Sequence, residues 1–286
     1  MTVSLKPDLG RFGVWLPTRS VTPELAAKIE SLGYGAVWIG ASPDADLAWV
    51  EPALERTTSL QLATGILNIW SAPAPAVADS FARIESAHLG RFLLGVGAGH
   101  REVDQAYVKP YDAVVGYLDE LDVRGIPTSR RVLAALGPKM LRLAAERSAG
   151  AHPYLTTPEH TAKARELVGD AVFLAPEHKV IVTTDAERAR ALGRDQLQLN
   201  LDLANYVNNW LRLGFTQDDV RKPGSDRLVD AVVAHGTPEA VARRLAQHHE
   251  AGADHVAIQV VGGWDEGTLL SALSELAGPL GLTRPE

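Results

Sequence analysis

Apolar runs of strand length alternate with amphipathic segments along most of the chain. Most of these runs are continuously apolar, which is typical of parallel strands that are covered on both faces. Strands are predicted at eight of them: Phe12–Leu16, Ala36–Gly40, Gln61–Leu67, Phe92–Gly97, Arg131–Leu136, Ala151–Leu155, Lys179–Thr183 and His255–Val261.

The segments between the predicted strands carry helix signals. Thr22, Thr157 and Thr237 are each followed by Pro and then Glu. This triplet favours a helix start, because Pro loses no hydrogen bond at the first helical position and the acid faces the positive end of the helix dipole. Strands and helices that alternate with short loops between them predict βα units.

Eight βα units in 286 residues predict a (β/α)8 TIM barrel, a fold that typically needs ~250 residues. The surplus falls between residues 185 and 236, where helical patterns run with no strand among them. We therefore expect a helical insertion after the seventh strand. No linker divides the chain, so a single domain is expected over residues 1–286. The same alternation also permits a doubly wound open sheet.

Composition narrows the range of functions. The chain has no Cys, which excludes a disulfide scaffold, a thiolate zinc site, an iron–sulfur cluster and a Cys nucleophile. Its formal net charge of -7 argues against nucleic acid or an anionic membrane as a partner. No apolar run reaches the roughly 18 residues of a membrane span, and the N-terminus lacks a signal-peptide core. Nor is there a metal-binding His-Glu-x-x-His motif. A cytoplasmic protein that acts on a small molecule, without a metal, is expected.

A glycine-rich turn ends the fourth predicted strand. In a barrel, reactive groups lie at the carboxyl ends of the strands, and here the strand opens into Gly95-Val96-Gly97-Ala98-Gly99-His100. These glycines fit either a wall against a flat ligand or a tight turn packed by small residues. The turn is a poor dinucleotide fingerprint, because no helix pattern follows it directly.

The fifth predicted strand ends in small residues, and a helix follows with Pro138 at its start and Lys139 next to it. Free backbone N–H groups, the helix dipole and a cation make an anion site, although an ordinary turn with a surface Lys is the alternative. Gly65, near the end of the third strand, indicates a bulge or a close ligand approach.

Ser42, His100 and His152 are the polar side chains at strand ends that are best placed for proton transfer. A His suits this chemistry because its pKa lies near neutrality. From the residues alone, the chain is a barrel that binds a planar, phosphorylated ligand, and the reaction type stays open.

Three segments together resemble the bacterial luciferase-like flavin and deazaflavin oxidoreductases, in that family's order: Ala63–Asn68, Arg91–Gly99 and Ala134–Pro138 with its helix. The Leu-Gly-Val-Gly-x-Gly piece is the most specific of them. Arg131–Leu141 and Gly150–Leu155 look most like the branch that uses coenzyme F420, a deazaflavin, instead of FMN.

The resemblance implies where the cofactor lies. A cis peptide between Gly65 and Ile66 would back the middle of the ring, Asn68 would meet its polar edge, and the start of the fifth helix would take the phosphate. The implied cofactor-binding residues are Gly65, Ile66, Asn68, Ala98, Gly99, His100, Ala135, Gly137, Lys139 and Met140.

The chain also departs from some members of the family. Those that act on sugar phosphates or secondary alcohols carry an Asp-His pair after the second strand, where this chain has Ala41 and Ser42. A sugar phosphate is therefore not expected as the substrate. His100 stands where those members have a glutamate, and it is the predicted general acid or base. The residues expected in the substrate pocket are Trp15, Ser42, Trp70 and His152.

The resemblance thus predicts an F420-dependent oxidoreductase that moves a hydride between the deazaflavin C5 and an apolar small molecule. An FMN-dependent monooxygenase is the first alternative. A non-catalytic flavin-binding protein is the second, and a barrel hydrolase is a remote third. Relatives commonly pair, so the resemblance also implies a homodimer.

Overall fold

The computed structural model describes residues 6–99, 109–263 and 265–282. Its strands are β1 (Phe12–Pro17), β2 (Ala36–Gly40), β3 (Gln61–Thr64), β4 (Leu67–Asn68), β5 (Phe92–Gly97), β6 (Arg131–Leu133), β7 (Gly150–Ala151), β8 (Phe173–Leu174), β9 (Glu177–Val182), β10 (Val233–Gly236) and β11 (Val256–Val260). Its α-helices are α1 (Pro23–Ser31), α2 (Val50–Glu55), α3 (Ala74–Ala87), α4 (Pro110–Val123), α5 (Pro138–Arg147), α6 (Pro158–Val168), α7 (Ala186–Leu197), α8 (Ala204–Arg212), α9 (Asp226–Val232), α10 (Pro238–Glu250) and α11 (Glu266–Ala277).

The strands form one parallel sheet in the order β10-β9-β11-β1-β2-β3-β5-β6-β7-β8, with β4 beside β5. Only Ala175 and Pro176 separate β8 from β9. The backbone of these two residues forms hydrogen bonds to a neighbouring strand on each side. The Ala175 N–H donates to Ala151 of β7 at 2.9 Å, while Pro176 accepts from Ala257 of β11 at 2.9 Å. The two ends of the sheet meet at this point, so the TIM-barrel prediction is confirmed and the open sheet is rejected.

The predicted strands are all present, with changes at their ends. The third divides into β3 and β4, and the seventh begins earlier, at Phe173, as the two-residue β8. β10 was not predicted, because Val233 and Ala234 continue the apolar pattern of helix α9. It lies outside the eight-membered ring, on the far edge of β9.

The segment predicted as a helical insertion holds α7, α8, α9 and β10. Residues from α8 and from the turn before it line the cleft described below, so this segment covers part of the barrel mouth. Among the helices of the described ranges, none is long and apolar enough to cross a bilayer.

The lower part of the barrel is filled by side chains. Trp38 is fully buried, and its Nε1 donates to His255 Nε2 at 3.0 Å. The other nitrogen of His255 lies 2.7 Å from the carbonyl oxygen of Gly10, which fixes the ring orientation. Packed around this pair are the inward-facing residues Ala36, Ala63, Leu93, Val132, Phe173 and Ala257. A ligand can therefore enter the barrel only from the carboxyl ends of the strands.

The predicted helix caps are confirmed. Thr22, Thr157 and Thr237 each accept a hydrogen bond from a backbone N–H in the first turn of α1, α6 and α10. Helix α5 differs, because its N-cap is Gly137 and no side chain caps it. Its first backbone N–H groups are therefore left for another acceptor.

Candidate active site

A cleft of about 760 Å³ lies at the carboxyl ends of the barrel strands. The structure brings most of the predicted site residues together around it. Those that line it are Trp15, Ser42, Gly65, Ile66, Asn68, Ala98, Gly99, Ala135, Gly137, Met140 and His152.

Two predicted residues, Lys139 and Trp70, are not part of this lining. His100 lies outside the described residues. The Lys139 ammonium packs over the ring of Tyr111, 3.7 Å from its centroid, and Lys139 does not line the cleft. Trp70 donates its Nε1 hydrogen to the carbonyl oxygen of Ala98 at 2.7 Å, and thus supports the glycine-rich turn without facing the ligand space.

The wall between β3 and β4 is a bulge, and its Gly65–Ile66 peptide is cis, as the resemblance implies. The bulge is held from two sides. Its Gly65 N–H donates to Ile39 of β2 at 2.7 Å, and the Trp15 indole donates to the Gly65 carbonyl at 3.0 Å. The backbone that faces the cleft at this point is therefore fixed in position.

Two glycines of the glycine-rich turn serve close packing. A Cβ at Gly95 would lie 1.9 Å from the carbonyl oxygen of Thr64, and one at Gly97 would lie 2.8 Å from the Cβ of Ala134. Ala98 and Gly99, which follow, do line the cleft. Of the two interpretations of this turn, packing thus explains Gly95 and Gly97, whereas a ligand wall fits Ala98 and Gly99.

Ala41 and Ser42 line the cleft just after β2, with φ angles of 61° and 51°. Two consecutive residues other than glycine in the left-handed region cost roughly 1–2 kcal/mol each. Such strain persists where the surrounding fold enforces it, and it clusters at functional sites. Ser42 is therefore held in the cleft by a sharp turn.

His152 is buried beneath the bulge. Its ring stacks on Trp38 with centroids 4.1 Å apart, and its Nδ1 lies 2.7 Å from the carbonyl oxygen of Ala175. Because Nδ1 must donate to this carbonyl, Nε2 carries a lone pair, and it has no hydrogen-bond partner among the described residues. Burial lowers the pKa of His152 to about 4, although the bond to Ala175 opposes this shift. His152 is thus a neutral acceptor near pH 7.

A cluster of polar side chains lies on the other side of the mouth, and none of its members is among the predicted site residues. Tyr154 follows β7, Glu177 and Lys179 lie in β9, and Gln259 lies in β11. Lys179 Nζ donates to the Tyr154 hydroxyl at 2.7 Å, to Gln259 Oε1 at 2.6 Å and to Glu177 Oε1 at 3.1 Å. Glu177 and Lys179 are 0% and 2% exposed. Tyr154 itself lines the cleft.

The electrostatics of this cluster follow from its burial. Burial raises the pKa of Glu177 and lowers that of Lys179, and each charge opposes the shift of the other. Burial and the charge of Glu177 raise the pKa of Tyr154, which keeps its hydroxyl protonated. A signal in the sequence was the spacing of Glu177 and Lys179, two residues apart at the start of a strand, which places both on one face.

Arg212, at the end of α8, is the cation that the structure brings to the start of α5. Its Nη2 lies 3.7 Å from the place where a Cβ of Gly137 would be, and 3.4 Å from Asn209 Oδ1. It carries the only formal charge among the described residues that line the cleft. Sequence reasoning assigned this role to Lys139, because nothing in the local pattern brings Arg212 near the fifth strand.

The remaining part of the lining was also missed. It comes largely from the segment between β9 and β10, and it is rich in amides, which can donate and accept hydrogen bonds. Its members are Gln196, Leu199, Asn200, Leu203, Ala204, Asn205, Tyr206 and Asn208.

Comparison with known proteins identifies the family to which this barrel belongs. The family model described as luciferase-like monooxygenase matches residues 11–121 and 115–255. The chain belongs to the luciferase-like monooxygenase family. A 5,10-methylenetetrahydromethanopterin reductase of Archaeoglobus fulgidus is 23% identical over 255 residues, which cover 70% of this chain and 77% of the relative.

Several solved structures share the fold of this chain. An F420-dependent secondary alcohol dehydrogenase in complex with an F420–acetone adduct aligns with a TM-score of 0.72 and 15% identity over 94% of this chain and 98% of its own. The FMN complex of the oxygenating constituent of 3,6-diketocamphane monooxygenase from Pseudomonas putida aligns with a TM-score of 0.68 and 14% identity over 96% and 99%. The first of these two structures holds an F420 adduct and the second holds FMN. The family match identifies this chain as an enzyme of the luciferase-like monooxygenase family.

Proposed function

We propose that this enzyme binds coenzyme F420 and transfers a hydride between the deazaflavin and a small organic substrate. The observation that carries the proposal is the cleft itself: a wall of backbone and small residues on one side, joined to an uncapped helix start with a cation beside it. The resemblance of the Arg131–Leu141 segment to the F420-using branch supports F420 over FMN.

The residues present fit such a cofactor. At the start of α5, the absence of a side chain at Gly137 leaves a cradle between the helix and Arg212, and free N–H groups there suit a phosphate. Along the wall, Gly65, Ile66 and Ala98 would pack against one face of a planar ring, with Asn68 near its edge.

When bound, the reduced deazaflavin supplies a hydride at its C5 carbon. The chain would contribute orientation and exclusion of water, through Trp15, Tyr206 and the amide side chains of residues 196–208 that line the cleft. His100 stays the proposed proton donor or acceptor, and loss of turnover in a His100→Ala variant would support that role. We also propose, from the family resemblance, a homodimer, which sedimentation would test.

The cofactor proposal is tested by titrating the purified protein with F420, FMN and riboflavin and following cofactor fluorescence. We expect F420 to bind most tightly, because its tail is longer and carries more negative charge than that of FMN. Riboflavin, which has no phosphate, should bind most weakly. Tighter binding of FMN would instead support the FMN-dependent monooxygenase, for which the diketocamphane monooxygenase fold is the precedent. If none of the three binds, the proposal is wrong.

A further inference from the structure

The polar cluster opposite the bulge has a hydrogen-bond donor that the proposed function does not use. Tyr154 lines the cleft, while its partners Lys179 and Gln259 lie beneath it and are buried. The Tyr154 ring stands 5.5 Å from that of Trp15 and 6.2 Å from that of Tyr206, measured between centroids. Tyr154 thus belongs to a row of aromatic rings at the cleft, and Trp15 connects this row to the Gly65 bulge.

The hydrogen bonds of the cluster fix which atoms carry hydrogens. Lys179 Nζ contacts three oxygens, and only an ammonium group has three hydrogens to donate to them. Because the Tyr154 oxygen accepts from Lys179, its own hydrogen goes to Gln259 Oε1, at 2.8 Å.

Gln259 Oε1 therefore receives two hydrogen bonds, one from Tyr154 and one from Lys179 at 2.6 Å. If the Tyr154 hydrogen turned to an oxygen of a ligand, Gln259 would still be satisfied by Lys179. The Tyr154 hydroxyl can consequently change its acceptor without leaving a buried polar atom unpaired.

We propose that Tyr154, supported from below by the Lys179 ammonium, donates a hydrogen bond to a carbonyl oxygen of the substrate, and that the substrate class is therefore compounds whose hydride-accepting carbon is part of, or conjugated to, a carbonyl group. This inference rests on the proposed function. Lys179 is a positioning residue in it, since it acts through Tyr154.

The chemistry balances in the direction of reduction. A hydride adds with its two electrons to the acceptor carbon, the π pair moves onto the carbonyl oxygen, and the substrate is reduced at the expense of the reduced deazaflavin. The negative charge that develops on that oxygen lies against the Tyr154 hydroxyl and the positive charge behind it, where preorganised donors stabilise it most. A proton from the general acid or from water then completes the product.

A dye that mimics the charged oxygen tests this inference without the cofactor. 4-Nitrophenol is added to the cofactor-free protein, and its ionisation is followed by visible absorbance over a range of pH. The wild-type protein should favour the bound phenolate and lower the apparent pKa of the dye, because Tyr154 and Lys179 stabilise the anion. In Tyr154→Phe, which removes only the hydroxyl, this shift should disappear.

Two further variants separate positioning from folding. Glu177→Gln combined with Lys179→Met removes both buried charges and keeps the tyrosine, so the dye shift should become smaller while thermal unfolding still shows a folded protein. Tyr117→Phe is the matched control, because it removes a tyrosine hydroxyl outside the cleft, where Tyr117 donates to the Ala72 carbonyl oxygen at 2.8 Å; the full shift should remain. An unchanged shift in Tyr154→Phe, or no shift in the wild-type protein, would overturn the inference.

Turnover gives the second measurement. With a conjugated cyclic enone as substrate, Tyr154→Phe should lower kcat about 10²-fold, as expected for the loss of one donor to a developing oxyanion, while F420 affinity stays the same. A parallel loss of F420 affinity would contradict the assignment of Tyr154 to the substrate. Failure of F420 to bind to the wild-type protein would instead count against the proposed function, and the dye result would still decide the role of Tyr154.

Discussion

The two sides of the barrel mouth are built differently. On the side of β2 to β6, backbone atoms and small residues form the wall, and at Gly40 and Gly95 a Cβ would lie within 2 Å of a neighbouring atom (1.8 and 1.9 Å). On the side of β7, β9 and β11, the half-buried Tyr154 is bonded to the buried side chains of Lys179 and Gln259. The first side offers a flat surface with few chemical groups, and the second offers charge and hydrogen-bond donors. A planar ring bound between them would pack against the small-residue wall with one face and would have hydrogen-bond donors and a charged group near its other face.

Removing one partner of the Lys179–Glu177 ion pair should have the largest effect on the unfolding free energy. Lys179→Met leaves the Glu177 carboxylate buried without its partner, which typically costs about 3–5 kcal/mol of unfolding free energy. Urea denaturation of the cofactor-free protein measures it. The double variant Lys179→Met/Glu177→Gln should recover much of the loss, because no unpaired charge remains. Equal stability of the single variant and the wild type would show that the cluster is not electrostatically coupled.

On the small-residue side, Gly95→Ala should destabilise the fold by roughly 1–3 kcal/mol or more, because the new methyl group would overlap the Thr64 carbonyl oxygen. Gly116→Ala is the matched control. Gly116 lies in helix α4 with no atom within 4 Å of the added methyl group, so the same change should stabilise the protein by about 0.5–1 kcal/mol. If both changes were neutral in urea denaturation, close packing would not explain the glycine-rich turn.

His152 lies between the two sides and should make stability depend on pH. Its pKa is about 4 in the fold, so the unfolded chain, with an ordinary His pKa near ~6.5, takes up the proton first as the pH falls. The contribution of His152 is complete above about pH 6.5 and is lost toward pH 4, with about 2 kcal/mol gone between pH 7 and pH 5.

His178 and His255, whose pKa values burial lowers to about 3, add to this slope in the same direction. Thermal unfolding of the wild type and of His152→Gln across that range would isolate the part due to His152. A slope that the substitution leaves unaltered would mean that His152 is not neutral and buried.

The smallest expected effect is on cofactor affinity, at the start of α5 where Arg212 lies beside Gly137. Arg212→Ala should weaken F420 binding about tenfold, close to 1.4 kcal/mol, because an exposed cation beside the anion is lost. Lys139→Ala should change affinity much less, since its ammonium lies over Tyr111. Riboflavin affinity should be the same in all three proteins. If Lys139→Ala had the stronger effect, the anchoring cation would be Lys139.

The sequence predicted the barrel well, because buried parallel strands leave continuous apolar runs and the Thr-Pro-Glu caps mark helix starts. It missed β8, which is too short to leave a pattern, and β10, which continues the apolar pattern of α9. The small-residue wall was found for a similar reason, since glycines and alanines at strand ends are visible locally.

The other side was missed because it depends on contacts between distant segments. Tyr154, Lys179 and Gln259 meet only after β7, β9 and β11 are in place. Likewise, Arg212 approaches Gly137 only because α8 folds back over the mouth, whereas Lys139, two residues after Gly137, has its ammonium over the Tyr111 ring. The local sequence pattern therefore predicted the backbone of the site, whereas the charged groups of the site depend on tertiary packing and were not predicted.

The position of Trp15 gives the protein an internal optical reporter. Its indole lies at the cleft, bonded to the bulge and packed where a side chain on Gly40 would be. Any chromophore seated beside it that absorbs in the near ultraviolet or the visible would take up its excitation energy. The emission of this one indole should therefore fade as ligand enters, and a Trp15→Phe protein would identify which part of the total fluorescence change arises there.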